Sequence, residues 1–336
     1  MNDEDPEISV ILPYYNAEKT LHSAIESILR QKFENFELIL INNCSTDNSF
    51  QVAKNLALSD QRIRLLQENT KGVANAFNKG LKRAKGDFIA RMDADDISHS
   101  ERLQKQLHFL KENKQIAIVA TQVEINPNNK NRGFQHFVNW SNQLITPQEI
   151  TLNRFVEQPV VNPTILCRKE VFDTVGSYKH GTFPEDYDWF LRVLEAKYQI
   201  AKIPEALLQW KDSIGRLSRI DKRYSVGSFY KTKAFYLANW LKQNNPFHPK
   251  VAIWGMGKRS KQRAALLETH QIQINAYIDL IEEPEITEDY YYYQNLPKPG
   301  ELFIISYVGN RGAREKIRSF LLQRGYVEGI NFIMAA

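Results

Sequence analysis

Residues 69–96 read NTKGVANAFNKGLKRAKGDFIARMDADD, and this stretch decides the fold. Its apolar spacing predicts a helix over 72–84, closed by Lys85-Gly86. A buried strand is expected over 87–92, and directly after it stand Asp93, Asp95 and Asp96. Three carboxylates within four residues repel one another unless solvent or a cation intervenes. A solvated turn or a helix N-cap is one resolution. The other is a hard divalent cation with oxygen ligands, and Mg2+ usually shares such a site with substrate phosphates.

Outward from this unit the alternation of strand and helix continues. Strands are expected over 8–12, 36–41, 62–67 and 116–121, and helices over 17–31, 47–58 and 101–113, with Asn16 as the N-cap of the first. This alternation predicts a mostly parallel sheet with helices on both faces. Such sheets bind ligands beyond the carboxyl ends of their strands. Three polar patches follow three strands: Pro13-Tyr14-Tyr15-Asn16, NNCSTD over 42–47, and the acidic turn. All three are therefore expected along one edge. Further on, 126–133 reads as a loop, 185–196 as a helix opening on Glu185-Asp186-Tyr187-Asp188, and 199–203 as extended. A long helix is expected over 221–243, closed by Asn244-Asn245-Pro246. After it the alternation restarts, with strands over 250–254, 274–279 and 302–307 and helices over 258–269 and 312–324. The expected organisation is an α/β domain over 1–219, a basic helical linker over 220–247 and a small Rossmann-like α/β domain over 248–336.

Composition bounds the function. The chain has 336 residues, of which 43% are hydrophobic, so disorder is excluded for most of its length. No apolar run approaches the ~18–20 residues that cross a bilayer. Residues 1–7 are acidic and polar, unlike a secretory leader. Two cysteines, Cys44 and Cys167, make no disulfide framework, and a cytoplasmic location is expected. The net charge of +5 is too small to imply nucleic acid. Between 205 and 245, however, eight basic residues face three acidic ones, with Trp210, Tyr224, Phe229, Tyr230, Phe235, Tyr236 and Trp240 interleaved. Either this segment packs its rings inward, or residues 211–242 approach anionic lipid or phosphate, placing the protein peripherally at the inner face of the membrane.

With these segments in place, the chain resembles family 2 glycosyltransferases of the GT-A fold. The matching stretches are SVILPYYNAEKTL (9–21), STDNS (45–49), residues 69–96, ERLQKQLHFL (101–110), NPTILCRKEVFDTVGSY (162–178) and PEDYDWFLRV (184–193). The resemblance implies inverting transfer of a hexosyl or N-acetylhexosaminyl group. The donor is a nucleotide-sugar, most simply a UDP-sugar, and the acceptor a hydroxyl on a glycan or lipid-linked glycan, as in cell-surface polysaccharide assembly. It implies that Asp95, with Asp96 adjacent, holds Mn2+ or Mg2+ against the diphosphate, and that Asp93 lies nearer the ribose or donor sugar. It makes Asp186, paired with Glu185, the base that takes the acceptor proton, although carboxylates also suit a helix N-terminus. Pro13, Tyr14, Tyr15 and Asn16 would line the donor site. Trp189 would either wall the acceptor site or sit in the core. A non-catalytic sugar-nucleotide-binding module is the alternative.

Three departures from the family pattern matter. Asn42-Asn43 stands where an acidic pair is common; Asn43 can still hydrogen-bond a donor base. Phe77 stands where many members carry Arg. A histidine common after the last catalytic strand is replaced in WKDSIGRLS (210–218), leaving Lys211 and Arg216 as candidate diphosphate contacts. In the last domain, Gly255-Met256-Gly257 follows a strand and Asp279 comes 22 residues after Gly257, near the spacing of a dinucleotide-binding unit. A tight structural turn explains the same pattern, and an NAD(P)-dependent activity is the other possibility.

Overall fold

The computed structural model describes residues 5–126, 131–212, 219, 221–282 and 289–336. It divides into two compact units: Met1–Ile150 with Pro159–Asp221, and Thr151–Gln158 with Lys222–Ala336.

The strands of the first unit are β1 (Ile8–Tyr14), β2 (Phe36–Asn42), β3 (Ile63–Gln67), β4 (Phe88–Arg91), β5 (Ile97–Ser98), β6 (Ile116–Glu124), β7 (Leu166–Arg168) and β8 (Gln199–Gln209). Its helices are α1 (Leu21–Leu29), α2 (Ser49–Ser59), α3 (Val73–Leu81), α4 (Arg102–Glu112), α5 (Arg132–Gln143), α6 (Pro147–Leu152), α7 (Lys169–Val175) and α8 (Glu185–Glu195). Among the described residues these strands form one eight-stranded sheet in the order β3-β2-β1-β4-β7-β6-β8-β5. The four strands from β3 to β4 run parallel, as do β6 and β8, whereas β7 is antiparallel to both β4 and β6. Three residues of β7 carry no periodicity of their own, which is why the strand is silent in the sequence.

Every residue of β1 and β2 is buried. Strands covered on both faces read as unbroken apolar runs. Ile8, Val10 and Leu12 point to one face, against Leu21, Ala24, Ile25 and Ile28 of α1, in a core that also takes in Leu103, Leu107 and Leu110 of α4. On the other face Ile11 and Ile41 meet α3 so closely that a methyl on Gly80 would stand 2.7 Å from the Ile11 Cγ2. Each such side chain withdrawn from water contributes ~1.5–3 kcal/mol before conformational entropy is charged.

Two local expectations are corrected. The N-cap of α1 is Thr20, not Asn16. Residues 17–20 form a turn in which the Ala17 carbonyl accepts from Thr20 and Leu21, and Asn16 takes a left-handed φ of 46°. The loop expected over 126–133 already begins α5 at Arg132, because the Asn131 side chain accepts the Phe134 N–H at 3.2 Å.

The second unit holds β9 (Lys250–Trp254), β10 (Gln273–Asp279), β11 (Tyr290–Tyr292), β12 (Ile304–Ser306) and β13 (Phe332–Met334), with α9 (Val226–Asn244), α10 (Lys258–Glu268) and α11 (Ala313–Gln323). Its described strands are all parallel, in the order β11-β10-β9-β12-β13, a Rossmann-like arrangement. Helix α9, expected as part of a linker, belongs to this unit and packs on α10. Its rings divide: Trp240 meets Phe155 and Phe303 edge-on at 6.1 and 5.9 Å and Tyr236 is buried, whereas Phe235 is exposed. Lys233 is buried, donates to the carbonyls of Val156 and Ala335 at 3.0 and 3.1 Å, and is pushed down to about 7 by burial. No helix among the described residues is long and apolar enough to cross a membrane.

Gly86 precedes β4 where β1 passes close by. A methyl there would stand 2.7 Å from the Ser9 nitrogen and 2.8 Å from the Ile8 carbonyl carbon, both backbone atoms. Gly86→Ala is therefore expected to cost about 1–3 kcal/mol and lower the melting temperature by several degrees. Gly227→Ala, where a methyl meets nothing within 4 Å on α9, should leave it unchanged or slightly raised. Thermal denaturation of the two variants compares them directly.

Candidate active site

Parallel register brings the ends of β2, β1 and β4 together: Tyr14 lies opposite Asn42, and Ile11 lies opposite Arg91. The three polar patches therefore share one edge, as their positions after parallel strands require. The first two are laced to each other. Asn16 Oδ1 accepts the Thr46 N–H at 2.8 Å, its own N–H donates to Ser45 Oγ at 3.1 Å, and the Glu18 N–H donates to Asp47 Oδ2 at 3.1 Å. Asp47 also accepts from Ser49; burial is the largest single influence and raises its carboxyl, but these hydrogen bonds together hold it below the usual range. Tyr15 is exposed, with the Lys71 ammonium 4.2 Å over its ring and donating to its hydroxyl at 2.9 Å. Pro13 and Tyr14 are buried, and burial pushes the Tyr14 hydroxyl well above its ordinary value.

Asn43 is committed to the protein itself. Its amide nitrogen donates to the carbonyls of Glu68 and Thr70 at 3.3 and 2.9 Å, and its Oδ1 accepts the Gly72 N–H at 2.7 Å. Both amide hydrogens thereby brace the loop that leads into α3, and a contact to a donor base is left to the second lone pair of Oδ1.

The acidic turn is resolved by cations of the protein. Arg91 ends β4 with 4% exposure, and its Nε and Nη2 both donate to Asp93 Oδ1, at 3.1 and 3.0 Å. Burial is the largest single influence and opposes its charge, but Asp93, Tyr178 and Glu185 together hold the guanidinium well above its ordinary value. Its carbon lies 5.1 Å over Phe77 and 5.9 Å over Tyr178, two rings that stack at 4.6 Å. Arg102 of α4 is fully buried, donates to the Pro163 carbonyl at 2.6 Å, and has Asp96 and Asp93 within electrostatic reach. Burial pushes Arg102 down to about 10, which leaves it charged at neutral pH. Asp96, expected as a metal ligand, is instead set into the interior at 1% exposure, where its Oδ1 accepts the Lys211 N–H at 2.9 Å. This bond also fixes the chain after β8 at the site, which is where Lys211 was expected. Arg216 lies outside the described residues.

Asp95 remains half-buried at the rim. Among the described residues no three His, Cys, Asp or Glu side chains converge as a ligand set. One hard carboxylate at the mouth nonetheless fits a divalent cation that takes most of its oxygens from a bound diphosphate.

The first turn of α8 reaches the same place. The Asp186 carboxyl is pushed up to about 7, first by burial and then by the Glu185 charge, with Arg91 pulling in the opposite direction. Tyr178, whose hydroxyl donates to Asn162 Oδ1 at 3.0 Å, completes the cluster and has Arg91, Asp186 and Glu185 within electrostatic reach. Asp93 and the carboxyls of α8 thus all lie within electrostatic reach of one arginine. Trp189 is a core ring, stacked on Phe172 at 4.7 Å with its N–H donating to the Gly176 carbonyl, so it walls no acceptor site. Arg91, Arg102 and Tyr178 were not foreseen. The available signal was a charged residue closing an otherwise apolar buried strand, FIAR.

In the second unit Gly255 takes a φ of 111° and Gly257 caps α10. Asp279 accepts the Met256 N–H on Oδ2 and the Leu280 N–H on Oδ1, both at 2.7 Å. It clamps the glycine turn to the end of β10 with the oxygens that a dinucleotide ribose would otherwise engage.

The family model for glycosyl transferase family 2 matches residues 9–176. The chain is 33% identical over 228 residues to the putative glycosyltransferase EpsE of Bacillus subtilis, covering 66% of this chain and 78% of that one. It is 36% identical over 198 residues to the UDP-Glc:alpha-D-GlcNAc-diphosphoundecaprenol beta-1,3-glucosyltransferase WfgD of Escherichia coli, covering 57% and 71%. Its fold is similar to that of S. aureus TarS 1-349 crystallised with UDP-GlcNAc, with a TM-score of 0.57, 18% identity and coverage of 79% and 71%.

Asn43→Asp is expected to destabilise the protein by about 1–3 kcal/mol, because a carboxylate replaces two buried N–H donors and faces two carbonyl oxygens. Denaturant unfolding of the variant checks this. The raised Asp186 value makes a second prediction. A folded-state value above the unfolded one means that stability is full below the unfolded carboxyl range and is lost as pH climbs through about 7. Asp186→Asn removes that loss. Its gain in melting temperature over the parent should grow from about pH 4 to pH 7 and level off above, and a gain independent of pH would contradict it.

Proposed function

The chain belongs to glycosyl transferase family 2 and has the GT-A fold, and from that premise we propose that it transfers a sugar, with inversion, from a nucleotide-diphosphate-sugar to an acceptor hydroxyl. The observation that carries this proposal is the meeting of the acidic turn and the α8 carboxyls around Arg91. Asp186 takes the proton of the acceptor hydroxyl as its oxygen attacks the anomeric carbon. The bond from that carbon to the diphosphate oxygen breaks, and the nucleoside diphosphate leaves on the opposite side. A carboxyl raised toward neutrality is matched to a base working near pH 7. Glu185 keeps it raised, while the Arg91 charge limits the rise.

Asp95 would hold Mn2+ or Mg2+ there; that ion stabilises the charge of the leaving diphosphate as a Lewis acid. Asp93, held by Arg91, faces the donor sugar or ribose. Tyr15, with Lys71 over its ring, and Asn16 form the outer wall of the donor side. The backbone at Lys211, fixed on Asp96, brings a lysine to the diphosphate side. UDP-sugars are the donors favoured, since UDP-Glc and UDP-GlcNAc stand in the names of two of the similar proteins. A lipid-linked or glycan acceptor, and hence polysaccharide or glycan assembly, has the same support.

UDP-GlcNAc and UDP-Glc, each with and without Mn2+, supply the test. A donor that binds only the folded state should raise the melting temperature by several degrees, and only with the cation. Asp95→Ala should abolish that cation-dependent rise. Asp186→Asn should keep it and lose about 100-fold or more in turnover. Undiminished turnover by Asp186→Asn would remove it as the base.

A further inference from the structure

Arg91 stands between the two acidic groups of the site yet takes no direct part in the transfer just described. Its side chain is locked. One edge of the guanidinium, Nε and Nη2, is spent on a single oxygen of Asp93 at 3.1 and 3.0 Å. Its flat face lies over Phe77 and Tyr178. Tyr178 is itself fixed from three directions. Its N–H donates to Asn78 Oδ1 at 3.1 Å, its carbonyl accepts from Asn78 Nδ2 at 2.8 Å, and its hydroxyl is bound to Asn162. The remaining nitrogen, Nη1, is buried and has no hydrogen-bond partner among the described residues. A buried guanidinium N–H without a partner is costly to keep. Tyr178, on which the guanidinium lies, meets Trp189 of α8 edge-on at 5.7 Å, three residues after Asp186, which brings the Arg91 charge beside the first turn of that helix. The charged and titratable groups that face Asp186 are Glu185 from its own helix, Arg91 from β4 and Tyr178 from the segment after α7. Asp188 in the same turn is engaged by Arg192 at 2.9 Å.

We propose that Arg91 is a positioning residue that couples the donor and acceptor sides of the site: its fork fixes Asp93 toward the donor, and its charge steadies the ionised carboxylate of Asp186. This rests on the proposed role of Asp186 as the base. Separating fork from charge is the purpose of the variants. Lysine keeps the charge and loses the planar fork. Methionine and glutamine lose both the charge and the fork.

The pH midpoint of the Asp186→Asn stability gain reports the Asp186 proton without any substrate. It is measured by thermal denaturation in Arg91, R91K, R91M and R91Q backgrounds. An opposite charge at short range typically shifts a carboxyl by 1–3 pH units. The midpoint should therefore rise by about one pH unit or more in R91M and R91Q, and stay near the parent value in R91K. Asp93→Asn removes the charge that offsets Arg91, so it should lower the midpoint, and it serves if neither neutral variant folds by circular dichroism. Calorimetry with UDP and Mn2+ reads the fork, and R91K should bind them several-fold more weakly than the parent. A midpoint that ignores R91M, R91Q and Asp93→Asn overturns the charge role, and unchanged UDP affinity in R91K overturns the fork role. If Asp186→Asn keeps its turnover while the midpoint still moves with Arg91, the base assignment fails and the coupling stands. If turnover is lost while the midpoint is fixed, the reverse holds.

Discussion

Two buried guanidinium groups hold together a turn that its own charge would otherwise push apart. Asp93, Asp95 and Asp96 all fall within five residues of the end of β4, and in a low-dielectric setting their repulsion would be large. Arg91 comes from the strand itself and Arg102 from the helix behind it, so each cation arrives on a rigid element. Asp93 is tied to the first, and Asp96 is drawn inward beside the second, with a backbone N–H on its free side. Asp95, between them, is half-buried. Charges met by cations on rigid elements are preorganised, and preorganised groups stabilise developing charge without further rearrangement.

The rest of the edge is fixed by the same economy of short, satisfied bonds. The loops after β1 and β2 exchange hydrogen bonds through Asn16, Ser45, Thr46 and Asp47. Asn43 ties the second of these loops to the one before α3. Polar side chains in such places are easily mistaken for ligand contacts, since both uses call for amides and hydroxyls at the carboxyl ends of strands. Asn43 and Asp96 show the difference: both are buried, and the Asn43 amide and the Asp96 Oδ1 are directed at backbone groups of neighbouring segments.

The second unit repeats the pattern. Asp279 has the position of a ribose-binding acid and is used to clamp the Gly255-Met256-Gly257 turn. Lys233 has the composition of a surface-seeking lysine and is buried on two carbonyls of the same unit. In both cases the backbone claims the side chain first, because an unpaired buried carbonyl or N–H is itself costly.

The sequence by itself determined the strands and helices whose periodicity is strong, from β1 through α4 and again from β9 through α11. It also determined that the polar patches after β1, β2 and β4 share an edge, since parallel strands allow no other placement, and its motifs carried the family. It did not reveal β7, whose three residues are too few to show a period, or the capping of α5 by Asn131. Only the tertiary structure decided which polar residues face the cleft and which are consumed within. Arg91, Tyr178 and Asp186 lie far apart along the chain and meet only when β4, the segment after α7 and the first turn of α8 pack together. Trp189 and Asn43 carry the chemistry of a binding site and lie where the packing spends it on the interior. A side chain's type is written in the sequence, but its partner is chosen by whichever buried group reaches it first.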